Sequence, residues 1–187
     1  MRNHFSKAAV GYALAVAYLA NSASAQTPPE PSTVVANPTY ISIPLEITVN
    51  RPAAEVWKRV GKFCDIGEWF RIPCTITSGK DGEFGAVRSV AGEILVGKTE
   101  LSYTYTQTVK AGRPYNLYHG TLEARPVNAS TSKLVYTLMF DNSMLADDAA
   151  REKDKAQKTA TFTRALDNMK VLAEGGTLPP APPRSGR

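Results

Sequence analysis

Phe162-Thr163-Arg164-Ala165-Leu166-Asp167-Asn168-Met169 ends a run, Leu145 to Ala173, in which Phe162, Leu166, Met169 and Ala173 recur on one stripe at helical spacing. The spacing predicts one long helix, with Asn142 as candidate N-cap and Gly175-Gly176 as the C-terminal stop. A helix with a single apolar stripe must bury it against another layer, so the residues upstream decide the architecture.

Upstream, the period changes from helical to two. Ile41, Ile43, Leu45, Ile47 and Val49 alternate with Ser42, Pro44, Glu46 and Thr48, the pattern of a half-buried strand, and Pro44 suits an edge or a bulge. Pro52 then opens a short helix whose apolar face is Val56, Trp57 and Val60 and which stops at Gly61. Five more strand-like runs follow: Thr75 to Thr77, Gly85 to Val90, Glu93 to Val109 with an interruption at Gly97, Tyr115 to Ala124, and Lys133 to Asp141. The short turns between them, Gly79-Lys80-Asp81-Gly82 and Ala111-Gly112-Arg113-Pro114 among them, imply an antiparallel meander. The expected fold is therefore α+β, a helix-grip. A curved antiparallel sheet of about six or seven strands wraps around the long C-terminal helix and leaves an internal cavity. Small residues in the first half of the helix (Ala146, Ala149, Ala150, Ala156, Ala160) against bulky ones from Phe162 onward place the cavity at one end and the core at the other.

The flanks are of another kind. Arg2 and Lys7, an apolar run from Ala8 to Ala20 and the Ala23-Ser24-Ala25 site read as a signal peptide over residues 1–25, since the run is shorter than a bilayer span of about 20 residues. Residues 26–38 form a Pro-rich linker, 39–175 the domain, and 176–187 a disordered Pro-rich tail. The expected location is exported, periplasmic or secreted, with no integral membrane segment after cleavage. The chain has 22 Lys and Arg against 17 Asp and Glu, a net charge of +5, but between Tyr40 and Glu174 the counts are 18 and 16. Such a mixed surface argues against nucleic acid. Walker, nucleophile-elbow and dinucleotide motifs do not occur, so no cofactor is expected.

Ile47 to Val49 followed by Arg51-Pro52-Ala53-Ala54-Glu55-Val56-Trp57, then Phe63 to Trp69, Gly85-Ala86-Val87-Arg88, Tyr118-His119-Gly120-Thr121-Leu122 and Phe162 to Met169 together resemble the START/Bet v 1-like (SRPBCC) proteins. Within them the chain is similar to the polyketide cyclase/dehydrase and lipid transport group. The resemblance covers nearly all of Ile41 to Ala173. It implies a cavity for a hydrophobic lipid, sterol, polyketide or aromatic compound, which some members cyclise or dehydrate without a cofactor and others only carry. It also places Trp69, Phe70 and Arg71 beside the cavity mouth, although the proline that often follows the tryptophan is replaced by Phe70-Arg71. Cys64 and Cys74 bracket this segment, and in an exported chain a disulfide between them is expected over two free thiols. A metal site is not expected, because His119 is the sole histidine after the leader.

Tyr103 and Tyr105 share one face of their strand, as do Tyr118 and Leu122 with Gly120, and Tyr136, Leu138 and Phe140. Pointed inward, these side chains form a phenol-lined site for an aromatic or phenolic ligand; alternatively they are ordinary core or surface residues. His119 then faces outward. Arg88 and Glu93 flank a turn. Facing inward they could polarise a carbonyl or phenolate and move a proton; facing outward they form an exposed ion pair. Two functions follow. One is a cofactor-free acid/base lyase, dehydratase or cyclase in which Glu93, Tyr103 and Tyr118 handle protons and Arg88 stabilises charge. The alternative is a non-catalytic periplasmic carrier of a lipid or polyketide, or an accessory protein of a periplasmic oxidation system. Oligomeric state is not legible.

Overall fold

A computed structural model describes residues 35–180 of the chain. The signal peptide expected over residues 1–25 lies outside the described residues, as do most of the linker and all but the first residues of the tail. The alternating segment becomes strand β1 (Tyr40–Val49), followed by helices α1 (Ala53–Val60) and α2 (Ile66–Trp69). Strands β2 (Ile76–Ser78), β3 (Val87–Arg88), β4 (Glu93–Lys98), β5 (Ser102–Gln107), β6 (Asn116–Pro126) and β7 (Ser132–Asp141) come next, and helix α3 (Asp148–Ala173) ends the domain. The seven strands form one antiparallel sheet in the order β1-β7-β6-β5-β4-β3-β2.

β1 is an edge strand joined to β7 from Tyr40↔Asp141 to Val49↔Ser132, which accommodates Pro44 because one side of the strand needs no donor. The buried Asp141 carboxylate fastens the end of this pair by accepting from the Thr39 amide at 2.7 Å and the Ser143 amide at 3.0 Å. The sheet curls at irregularities between Leu95 and Gly97, and between Asn116 and His119, where Leu117 has φ of 49°. The run expected from Glu93 to Val109 is two strands, not one. The Thr99 hydroxyl accepts from the Leu101 amide and the Thr99 amide donates to Ser102 O, so the chain reverses there.

The long helix starts later than expected. Asp147, not Asn142, caps it, its carboxylate accepting from the Ala150 amide at 2.7 Å. Asn142 is buried instead and donates its amide to Thr39 O. At the other end the Gly176 amide returns to Val171 O, with Gly175 at φ of 89°. Ala165, Leu166, Met169 and Leu172 enter a single core with Ile43, Val56, Phe63, Trp69, Leu122, Leu134 and Leu138. Lys170 Nζ donates to Thr48 O at 2.6 Å and Asn168 Nδ2 to Trp69 O at 2.8 Å, which pin the helix to β1 and to α2. Leu178, just past the helix, also packs on the core. No helix among the described residues is long and apolar enough to cross a membrane.

The first half of α3 departs from the alanine-faced expectation. Ala149, Ala156 and Ala160 are exposed, and the half-buried positions are Ala150, Arg151, Asp154, Lys158 and Thr159. Lys158 is hydrogen-bonded to Asp154 and lies 4.7 Å over the Phe140 ring and 5.0 Å over Tyr115. Helical phase decides this: residues 151, 154 and 158 continue the stripe of Phe162, Ala165 and Met169 toward the N-terminus, whereas the alanines fall between.

Candidate active site

The β3–β4 connection is a tight turn through Ala91 and Gly92, both with positive φ (54° and 68°), and it sets Arg88 directly opposite Glu93. Both side chains point into the core, Arg88 at 0% exposure and Glu93 at 4%. Arg88 Nε donates to Glu93 Oε2 at 2.6 Å, and Nη2 lies 2.6 Å from the same oxygen. Arg88 Nη1 donates to Phe63 O, while the guanidinium carbon sits 4.2 Å from the Phe63 ring centre and 4.7 Å from that of Tyr105. Across the β4–β5 ladder, Glu93 faces Gln107, whose amide donates to Glu93 Oε1 at 2.9 Å. Gln107 Oε1 accepts in turn from the Tyr115 hydroxyl at 2.9 Å and from Arg113. Gln107 belongs to this network although no sequence motif singled it out; its signal was parity with Tyr103 and Tyr105 on β5.

Burial pushes the Glu93 carboxyl up, with the charge of Arg88 and the hydrogen bonds from Arg88 and Gln107 opposing it. Burial works against the Arg88 charge as well, but the ion pair with Glu93 opposes it, and the guanidinium stays ionised.

The phenols surround this pair. Tyr103 and Tyr105 from β5, Tyr118 from β6 and Tyr136 from β7 are all buried, with ring centres 6.4 Å apart for Tyr103–Tyr105 and 6.2 Å for Tyr105–Tyr118. Tyr118 stacks on Phe140 at 5.7 Å. Tyr105 and Tyr136 share a hydroxyl–hydroxyl hydrogen bond of 3.0 Å, possible because Gly120 has no side chain: a Cβ there would lie 2.4 Å from the Tyr105 hydroxyl. Burial raises the pKa of all four tyrosines, so each is a neutral donor at neutral pH. The Tyr103 hydroxyl is buried and makes no hydrogen bond of normal geometry, although it lies near enough to the Arg88 guanidinium to interact with it.

Leu122 and Leu138 are fully buried behind the phenols. Trp69 is at 0% exposure, packed edge-on against Tyr136 at 6.2 Å, and Phe70 leans on Phe162 at 5.3 Å. Arg71 lines a separate surface depression with Arg59, Glu68 and Leu172. The loop that carries these three residues is closed by the Cys64–Cys74 disulfide, with a Cα–Cα distance of 5.6 Å. His119 is half-buried, its Nδ1 2.9 Å from Leu117 O, on the face opposite Tyr118.

A cleft of about 420 Å³ opens between the end of α1, the Asp81-Gly82 turn and the β4–β5 hairpin. Its buried lining residues, Phe63, Leu95 and Tyr103, form the floor; half-buried Trp57 forms a wall; the exposed Lys58, Lys62 and Lys98 form the rim. Phe63 and Tyr103 thus separate the cleft from Arg88, which lies 4.2 Å and 5.8 Å from their ring centres. Among the described residues no group of His, Cys, Asp and Glu is arranged to hold a metal ion.

Residues 40–174 match the model of a family described as polyketide cyclase / dehydrase and lipid transport. Among curated proteins none matches the sequence. Of solved structures, the chain is similar to a solution structure from Thermobifida fusca (24% identity, TM-score 0.60, covering 73% of this chain and 97% of that one). It is also similar to the Zhui aromatase/cyclase from a Streptomyces species (18%, 0.57, 74% and 100%). A third is a norcoclaurine synthase point mutant from Thalictrum flavum, in complex with a transition-state analogue (12%, 0.54, 74% and 97%). At these identities the likeness is one of fold.

Proposed function

The chain belongs to the polyketide cyclase / dehydrase and lipid transport family, and from that premise we propose that it binds a hydrophobic aromatic or phenolic small molecule and acts on it as a cofactor-free acid/base lyase, dehydratase or cyclase. One observation carries the reading: Tyr103 lines the cleft in front of a buried arginine, with its hydroxyl buried beneath that lining near the guanidinium and without a hydrogen bond of normal geometry. An unpaired buried hydroxyl costs about 1–3 kcal/mol, a cost that a ligand oxygen removes when the phenol shifts to bring its hydroxyl from the interior to the cleft. In this reading Tyr103 donates to a carbonyl or phenolic oxygen of the ligand and Arg88 favours the negative charge that develops there. Glu93, its acidity weakened by burial, takes part in proton exchange, and Tyr118 supplies a further neutral donor. We further propose that the protein works after export, in the periplasm or outside the cell, a setting compatible with the Cys64–Cys74 disulfide.

The carrier reading draws on a different observation: both oxygens of Glu93 are already hydrogen-bonded, to Arg88 and to Gln107. The test begins with ligands released from natively purified protein and identified by mass spectrometry, followed by incubation with aromatic candidates. Tyr103→Phe is expected to lose about 100-fold or more in turnover, within the usual range for a general acid. Its stability should stay level or rise by up to about 1 kcal/mol, because an unsatisfied hydroxyl is removed. Full turnover in Tyr103→Phe overturns the assignment, and tight binding without product from any bound compound establishes the carrier.

A further inference from the structure

Of the 18 basic side chains between Tyr40 and Glu174, eight form ion pairs among the described residues and ten do not, Lys58, Lys62 and Lys98 among them. Those three converge on one cleft from two separate segments, α1 with the residues that follow it and the end of β4; Asp81 is the single carboxylate lining the cleft, and Asp65 lies near Lys62 outside it. In a domain whose basic and acidic residues nearly balance, three ammonium groups at a cleft lined by one carboxylate are a local excess of positive charge over an aromatic floor.

We propose that this cleft selects an aromatic acid: the carboxylate is held at the rim by Lys58 and Lys62, and the ring lies against the aromatic surface that Trp57 and Tyr103 form together. The proposal rests on the reading of the cleft as the ligand's place and adds the ligand's charge to it. Trp57 and Tyr103 have ring centres 5.7 Å apart, tilted by 52°, with Phe63 edge-on to Tyr103 at 5.5 Å. Gly61 keeps this wall in place, since a Cβ there would lie 2.3 Å from the Trp57 ring. Lys98 plays a second part. Its Nζ donates to Gly82 O at 2.6 Å and fastens the Asp81-Gly82 turn at the side of the cleft, while its charge stays at the rim. A carboxylate bound there exchanges water for charge-assisted hydrogen bonds at the edge of an apolar surface, where such bonds are stronger than in bulk water.

The experiment compares two probes of one shape, 1-naphthoate and 1-naphthalenemethanol, by calorimetry on the full chain. Naphthoate is expected to bind more tightly, and the advantage should shrink as salt rises from about 20 mM to about 500 mM. Lys58→Gln with Lys62→Gln should weaken naphthoate about tenfold and leave the alcohol unchanged. Lys153→Gln, an exposed lysine of α3 that does not line the cleft, should change neither. Equal affinity for the two probes, absence of naphthoate binding at millimolar concentration, or an equal loss in Lys153→Gln overturns the proposal. The two readings fail separately. Lysine-dependent naphthoate binding in a protein that performs no chemistry removes the catalytic reading alone. Turnover of a neutral ligand that survives loss of both lysines, with equal binding of acid and alcohol, removes this one alone.

Discussion

Arg88 carries a full charge in a place where water does not reach, and it is tolerated because the guanidinium meets Glu93, the Phe63 carbonyl and the faces of Phe63 and Tyr105, with Nη2 held by the charge of Glu93 and without a hydrogen bond of normal geometry. Removing one partner from such a pair costs more than the pair contributes, because the remaining charge is stranded. Glu93→Gln is therefore expected to lower stability by about 3–5 kcal/mol. The double change Arg88→Met with Glu93→Leu should recover most of that, and urea unfolding of the two variants checks it. The difference also separates structure from chemistry, since a double variant that folds but has lost turnover assigns the pair to the reaction. At this scale alternation was a good guide to grouping. It put Tyr103 and Tyr105 on one face and His119 opposite Tyr118, but it did not register that Gln107, on the same parity, would be the residue that holds Glu93.

At the scale of elements, the segment from Cys64 to Cys74 is where local sequence was least informative. It contains the single turn of α2, a residue at positive φ (Arg71, 57°) and a tryptophan that goes fully inside. A disulfide closing a loop of this length removes unfolded-state entropy worth about 3 kcal/mol. Cys64→Ser with Cys74→Ser is accordingly expected to lose about that much stability, read from a lowered urea midpoint at unchanged slope, while leaving the far-UV spectrum unchanged. A loss in the midpoint well below this would mean that the packing of Trp69 on Tyr136 and the Asn168 bond to Trp69 O hold the loop unaided. The helix boundaries teach a related lesson. Asn142 and Asp147 are both acceptable caps by type, but Asn142 is tied by its backbone amide to Thr39 O at the end of β7, and the helix begins only at Asp148, where Asp147 caps it.

For the molecule as a whole, the four buried phenols tie stability to high pH. Their pKa values in the folded chain are raised above the ordinary tyrosine value by burial, so their contribution is complete below about pH 10, where the unfolded chain also keeps its phenols protonated. As pH rises past that point the unfolded state releases protons that the folded state retains. Each phenol then costs about 1.4 kcal/mol of stability per pH unit. The expected result is cooperative alkaline unfolding, in which phenolate absorbance from these residues appears together with loss of the circular-dichroism signal. Phenolate absorbance well before unfolding would show that water reaches the interior. By itself the sequence determined the periods: the two-residue alternation of β1 and β5 to β7, the 3.6-residue stripe of α3, the turns between them and the cysteine pair, hence a sheet of about six or seven strands gripping one helix. These are local quantities, set by backbone geometry within each segment. Tertiary structure alone decided that Arg88 and Glu93 face inward, that the first half of α3 turns charges rather than alanines to the sheet, and that Lys58, Lys62 and Lys98 share one cleft above an unpaired phenol. A period states which side chains share a face. It carries no information about which face is buried, or about which side chains from distant segments meet there.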